Sequence, residues 1–194
     1  VHAAQSADIL AIYGERGIEA YLDMGVPKDR IKVVGNASWD KLPKMAASRS
    51  LIRQRLAEKH GLDSGKPIVV FATTWPAYLS AATDPYIYSR SLREFIRAIA
   101  SLGDAGAGIQ WIVKDRQASH RNPINTLEDI IRSEQISSNV HIVYDSGDSA
   151  EWVCAADIVV GINSNMLVEA MIVGTPAINL VLWETVRFGP CFSP

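Results

Sequence analysis

Cysteine is almost missing from this chain, and what there is forms no pattern. Cys154 and Cys191 are the only two in 194 residues, too few for a disulfide framework or a zinc cluster. Cys154 lies among apolar residues, where a small core side chain is expected rather than a nucleophile. A surplus of either charge is missing too. Lys and Arg number 19 against 21 Asp and Glu, a net charge of −2, so any anion site must be local and nothing draws the whole molecule to nucleic acid or an acidic membrane. No apolar run reaches the roughly 20 residues that a membrane-spanning helix needs, and no segment reads as a signal peptide. G-x-G-x-x-G, a Walker loop, a G-x-S-x-G elbow and H-E-x-x-H are all absent, which disfavours a dinucleotide-dependent oxidoreductase, a P-loop NTPase and an α/β-hydrolase. There is no internal repeat and no low-complexity segment.

What is present is the mix of an ordinary globular protein, with 48% hydrophobic and 21% charged residues, and enough length for one domain with a sizeable core plus an appendage. Asp8 to Tyr13 reads as a strand, Glu15 to Met24 as a short helix stopped by Gly25, and Ile31 to Val34 as a second strand. Residues Pro43 to Ser50, small, polar and basic, read as the linker or boundary. Leu51 to Lys59 follows as an amphipathic helix burying Leu51, Ile52 and Leu56 and stopped by Gly61.

From Pro67 the rhythm becomes regular. Strand Ile68–Ala72 precedes a polar loop and helix Ser89–Leu102, whose Leu92, Phe95, Ile96 and Ile99 are spaced for one buried face. Strand Ile109–Val113, helix Asn125–Ser133, strand Val140–Tyr144 and helix Ser149–Ala155 come next. The last unit is the most informative. Ile158 to Ile162 reads as a strand covered on both faces, Asn163-Ser164-Asn165 as a capping turn, the following residues as a helix stopped by Gly174 and Pro176, and the run after that as a second buried strand. About five strands alternating with helices predict an α/β fold: an open parallel sheet with helices on both faces. Right-handed crossovers then bring every strand-end loop to one edge, where such folds bind ligands.

The loops on that edge carry the candidate residues. The Asn163–Asn165 turn offers backbone N–H groups at a helix start, where the macrodipole favours anions. Asn165 and Glu169, four apart, share a helix face, so Glu169 can stand behind a phosphate site and accept from a sugar diol. A plain N-cap with a solvated Glu169 remains the alternative. Thr73 and Thr74 are candidates for a phosphate oxygen or sugar hydroxyl, with Trp75 as a pocket wall. Lys114 and Arg116, with His120 and Arg121 nearby, form a basic cluster suited to a pyrophosphate or simply to solvent. Asp145 to Ser149 reads as a turn and N-cap that could also lie beside a nucleotide base.

These residues resemble the carboxyl-terminal half of GT-B-fold sugar-nucleotide enzymes, the group of many glycosyltransferases and the non-hydrolysing UDP-N-acetylglucosamine 2-epimerases. Gly25 to Asn36 with Asp40 resembles the end of the first Rossmann-like lobe, and Leu51 to Leu62 with Lys66 to Trp75 the entry into the second. The Thr73-Thr74-Trp75 element is similar to that of CDP-glycerol glycerophosphotransferases and related capsule or teichoic-acid transferases. Ala156-Asp157 through Pro176 is similar to the donor-binding strand, turn and helix. The resemblance implies that Ser164 and Asn165 face phosphate, Glu169 holds ribose and Thr74 approaches the diphosphate. Two elements depart from the group: Asn163-Ser164-Asn165 replaces a glycine-containing turn, and Lys114-Asp115-Arg116 stands where a lysine–leucine–histidine–proline element is usual.

The expectation is therefore a piece of a longer chain, starting Val1-His2 and ending without a final helix. Residues 1–45 would be the tail of a first lobe and linker, and 46–194 a nucleotide-donor lobe truncated at its end. The implied function is donor binding for a glycosyl or glycerophosphate transferase of surface carbohydrate synthesis, with a UDP- or CDP-linked donor (a nucleotide-sugar or CDP-glycerol) as substrate. No tightly bound cofactor or metal is implied, nor a nucleic-acid partner. The rest of its own chain, holding the first lobe, is the expected protein partner, the fragment alone inactive, and the setting cytoplasmic, peripheral to the inner face of the membrane in full-length form. Two alternatives stand beside this: a 2-epimerase, whose acid/base carboxylates would lie in the other lobe, and a non-catalytic nucleotide- or protein-binding domain.

Overall fold

A computed structural model describes residues 6–73, 87–115, 123–135, 141–145, 147–162 and 164–180. The chain forms two compact units that meet between Lys41 and Leu42 along the sequence. In the first, strand β1 (Leu10–Ile12), helix α1 (Gly17–Asp23) and strand β2 (Ile31–Val33) make a parallel pair with a crossover helix. Its small core is Ile12, Val26 and Ile31, with Leu10, Ile18 and Tyr21 against it. Gly25 takes the left-handed conformation (φ 82°) that ends α1, as its position after the helix predicts.

The second unit begins with helices α2 (Leu42–Ala47) and α3 (Arg49–His60). Residues 43–50, just past that division, are helical apart from a turn at Ser48, because Leu42 is wholly buried and anchors the turn, while Pro43 in a first turn removes no intrahelical hydrogen bond. α3 buries Ile52, Leu56 and Ala57. Leu51, expected inside, is 70% exposed: the stripe set by Ile52 and Leu56 leaves it about 100° round the helix. Gly61 closes α3 in the left-handed conformation (φ 65°).

Strands β3 (Ile68–Ala72), β4 (Gln110–Lys114), β5 (Ile142–Asp145), β6 (Ile158–Gly161) and β7 (Ala177–Asn179) form one parallel sheet in the order β5-β4-β3-β6-β7. Helices α4 (Ile87–Ser101), α5 (Pro123–Ser133), α6 (Ser149–Ala155) and α7 (Asn165–Ile172) connect them in turn. The expected open parallel sheet is what forms. Val69, Phe71, Trp111, Val113 and Val160 point to one face, where Leu92, Phe95, Ile96 and Ile99 of α4 and Ile130 of α5 cover them. Phe95 stacks on Phe71 at 4.5 Å and meets Trp111 edge-on at 5.8 Å. Each such aromatic contributes roughly 1.5–3 kcal/mol by leaving water. The opposite face, with Ile68, Val70, Ile112 and Val159 fully buried, is covered by α3, α6 and α7.

Three boundaries differ from the sequence expectation in ways that matter. β4 and β5 run one residue past their apolar stretches, because Lys114 pairs with both Ala72 and Asp145 across the ladders. Lys114 and Asp145 are therefore strand ends rather than loop residues. β7, expected to be buried, is the edge among the described residues, paired with β6 alone, and leaves Ile178 47% exposed.

Two arginines lock the helices to the sheet. Arg53 donates to the carbonyls of Ser64, Lys66 and Ala155 and to Asp157 Oδ2 at 2.6–2.9 Å. Asp157 Oδ2 also accepts from the Ile68 amide at 2.8 Å, so one ion pair ties the starts of β3 and β6. Arg49 Nη2 donates to the Val173 carbonyl and to Thr175 Oγ1, both at 2.8 Å. That satisfies a carbonyl orphaned at the end of α7 and sets a positive charge against its negative pole.

Candidate functional site

The strand order reverses between β3 and β6, and at the carboxyl ends of those strands lies a pocket of about 550 Å³. This is where an open α/β sheet leaves a crevice, since the connections leave β3 and β6 toward opposite faces. Gly161 makes the junction possible: a Cβ there would meet the Ala72 carbonyl oxygen at 3.1 Å and the Ala72 Cβ at 3.3 Å. Its role was not apparent from the sequence, where it reads only as the end of an apolar run.

One wall is the first turn of α7. Ser164 has the extended backbone of an N-cap, and its Oγ accepts from the Met166 amide at 3.3 Å while its carbonyl accepts from Leu167 at 3.0 Å. Those two amides are thereby taken. The Asn165 amide stands at the mouth of the helix without a hydrogen-bond acceptor among the described residues, in the positive field of the helix end. Ser164, Asn165 and Glu169 all line the pocket. Glu169 is half-buried rather than solvated, and accepts from Ser149 Oγ at 3.3 Å. Ser149, at the start of α6, lines the opposite wall with Gly147 and Asp148.

The floor is built by β3 and β4. Thr73 Oγ1 donates to Asp115 Oδ1 at 2.8 Å, and the Tyr144 hydroxyl donates to Asp115 Oδ2 at 3.1 Å. Asp115 was not among the expected residues, although a carboxylate directly after an apolar strand on the loop edge is the available signal. Its pairing narrows the part Thr73 can play: with its one proton committed, the hydroxyl can accept from a sugar hydroxyl but not donate to a phosphate. Burial and the Asp115 charge together push the Tyr144 phenol well above its ordinary range, so it stays protonated. Lys114, also buried, lines the floor and directs its ammonium to the Asp115 carbonyl.

Asp145 is placed otherwise than expected. It does not line the pocket; its carboxylate turns under the loop, where Oδ2 accepts from the Gly147 amide at 2.8 Å and from Trp152 Nε1 at 2.6 Å. The reason is the register: Asp145 sits on the sheet face covered by α3 and α6, facing the fully buried Trp152. Thr74, Trp75, Arg116, His120, Arg121 and Asn163 lie outside the described residues. Cys154 is buried in α6, and burial raises its thiol pKa, which makes it inert. Among the described residues no three His, Cys, Asp or Glu side chains are grouped to hold a metal ion.

The Anabaena protein Alr3699/HepE in complex with UDP and glucose superposes with a TM-score of 0.55 at 18% identity, covering 91% of this chain and 45% of its own. Its complex with UDP-glucose matches at 0.55 and 19%, covering 91% and 46%. The wall teichoic acid polymerase TagF matches at 0.57 and 16%, covering 88% and 38%. The shared fold is the open parallel α/β sheet flanked by helices, and the proteins it matches are of the GT-B type. At these identities the likeness is one of fold, and the chain spans less than half the length of those proteins. No family model and no curated protein matches the sequence.

Proposed function

We propose that the five-stranded unit is the donor-binding lobe of a glycosyl or glycerophosphate transferase that uses a nucleotide-diphosphate donor, with the first unit as the tail of the lobe preceding it. The observation that carries this reading is the convergence of the α7 N-terminus, Lys114 and the Ser149–Glu169 pair on one crevice at the switch point of the sheet. Each supplies what a nucleotide diphosphate needs. The α7 dipole and the Asn165 amide attract a phosphate oxygen, and the Lys114 ammonium supplies positive charge on the pocket floor. Glu169 accepts hydroxyl donors, as a ribose diol requires.

In transfer, an acceptor hydroxyl oxygen forms the new bond to the donor carbon (or the glycerol-bearing phosphorus) and gives up its proton to a base or to solvent. The bond from that carbon or phosphorus to the bridging oxygen breaks, and its electron pair stays with the leaving nucleotide. Donors already aimed at that oxygen stabilise the developing charge more in the transition state than in the ground state. HepE is known in complex with UDP and with UDP-glucose, and TagF with CDPG, which supports the ligand class. The likeness to the wall teichoic acid polymerase TagF supports a surface polysaccharide or teichoic-acid type of acceptor.

Calorimetric titration of the purified chain with UDP, CDP, UDP-glucose and CDP-glycerol tests the proposal. Saturable binding of at least one, weakened about tenfold by Glu169→Ala, is the expected result. Binding of none by a folded sample overturns it.

A further inference from the structure

Behind the wall formed by Gly147, Asp148 and Ser149 lies a group of side chains that the donor-binding reading leaves without a part. Asp145, at the end of β5, presents its two carboxylate oxygens to different neighbours. Oδ2 holds the Gly147 amide at 2.8 Å and Trp152 Nε1 at 2.6 Å. Oδ1 faces His60 Nε2 at 3.6 Å and Lys59 Nζ at 3.9 Å, both from the end of α3. The His60 ring leans on Trp152 at 5.3 Å. His60 Nε2 is buried and makes no hydrogen bond to any described residue. A buried donor or acceptor left unpaired is costly and asks for an explanation.

We propose that Asp145 is a positioning residue for the nucleotide pocket: clamped by Trp152, it sets the Gly147–Ser149 wall that presents Ser149 to Glu169, and protonation of His60 draws it off that wall. The inference rests on the donor-binding reading of the pocket. Its steps are local. Asp145 folds the loop back at Gly147, which puts Asp148 in place to cap α6 through the Ala150 amide at 2.9 Å. α6 then starts at Ser149, whose hydroxyl reaches Glu169 across the pocket at 3.3 Å. The fit at Gly147 is tight, since a Cβ there would lie 3.0 Å from Asp145 Oδ2.

The groups facing His60 are Asp145 from β5, Lys59 from its own helix and the uncharged Trp152 ring from α6; Glu151 on α6 is engaged with Arg55 at 2.6 Å. Burial holds the imidazole below its ordinary pKa, against the pull of Asp145 and with Lys59 adding to the depression, so it is neutral at neutral pH. Once charged, it attracts Oδ1 toward α3, away from the side on which Oδ2 holds the loop and Trp152. The expected consequence is a nucleotide affinity that falls on acidification through a residue that never touches the ligand.

The experiment is calorimetric titration of the 194-residue chain with UDP and CDP between about pH 5.5 and about pH 7.5, with folding checked in parallel by urea denaturation. Trp152→Phe keeps the ring and removes the donor, and is expected to weaken binding about tenfold at neutral pH. Asp145→Asn keeps an oxygen for Gly147 and Trp152 but not the charge, and is expected to lose the acid-induced fall, read as the ratio of its own affinities at the two ends of the pH range. His60→Gln should keep the neutral-pH affinity and likewise flatten the profile. Ratios of variant to wild type at each pH cancel the ionisation of the nucleotide itself. Wild type and His60→Gln with the same pH profile, or Asp145→Asn retaining the acid-induced fall, overturns the positioning role. Absence of nucleotide binding by the wild type at every pH overturns the donor reading beneath it.

Discussion

Removing Arg49 should loosen the helix on which the site is built, even though Arg49 lies at the opposite end of that helix from the pocket. Its Nη2 donates to the Val173 carbonyl and to Thr175 Oγ1 at 2.8 Å each, and the Thr175 hydroxyl in turn donates to the Val153 carbonyl at 2.7 Å. α7, α6 and α3 are thereby joined at one point. A hydrogen bond from a charged donor is worth roughly 1.5–3 kcal/mol when buried, and a cation at a helix C-terminus about 0.3–1 kcal/mol more. Arg49 is half-buried, so solvent screening reduces the two bonds together to about 1.5–2 kcal/mol, and with the helix-end contribution Arg49→Ala should cost about 2–3 kcal/mol. For a chain of this length that corresponds to a fall in Tm of about 5–10 °C. Urea denaturation followed by far-UV circular dichroism measures it, with Thr175→Val and the double variant completing a cycle. Arg49 and Thr175 share one network, so the cycle should show a coupling of at least about 0.5 kcal/mol. A loss below that figure in Arg49→Ala, or strict additivity in the cycle, would refute the assignment of Arg49 as the anchor of α7.

Gly161→Ala forces a Cβ to within 3.1 Å of the Ala72 carbonyl oxygen, a backbone contact that cannot yield cheaply, so it should destabilise the fold by about 1–3 kcal/mol in the same urea assay. Arg53→Ala strips the ties to Ser64, Lys66, Ala155 and Asp157 and should accelerate hydrogen exchange at the starts of β3 and β6 before other strands; uniform exchange would contradict the tie. The lowered pKa of His60 means that the unfolded chain binds more protons than the native one below about pH 6.5. Stability from this group is therefore complete above that pH and lost as pH falls through the folded value, and His60→Leu should remove that part of the pH dependence of the urea midpoint.

The sheet was legible because its strands are apolar and β-branched over several residues. Ile68–Ala72 and Ile158–Gly161 are bounded by polar turns, and the period in α4 put Leu92, Phe95, Ile96 and Ile99 on its buried face. What composition hides is register. Nothing in Lys114 or Asp145 as residue types says that the ladder continues through them, since the pairing of Lys114 with Asp145 is made by backbone groups. Asp145 consequently points at Trp152 instead of a ligand. The region 43–50 is less legible for a related reason: small and basic residues read as a linker or boundary, whereas one fully buried Leu42 and the long-range bonds of Arg49 make it helical. Among the site residues, Ser164, Asn165 and Glu169 follow from helix spacing and capping rules. Asp115 does not, because its importance lies in Thr73 and Tyr144 reaching it from neighbouring strands.

The missing glycine in the Asn163–Asn165 turn bears on how such a pocket would work. A glycine turn lets a phosphate approach several amides at once. Here Ser164 consumes the Met166 and Leu167 amides itself, leaving Asn165 as the first-turn amide without an acceptor among the described residues. Affinity then has to come from side chains already held in place rather than from a backbone nest. The pocket has that character: Thr73 and Tyr144 fix Asp115, and Ser149 reaches Glu169. Groups ordered before binding cost less entropy when the ligand arrives. Ser164→Gly makes the argument testable, because it frees the Met166 amide while costing only a few tenths of a kcal/mol in capping. If backbone donors limit the site, nucleotide binding tightens in that variant. If the ordered side chains dominate, binding is unchanged or weaker, and calorimetry with UDP and CDP decides between the two.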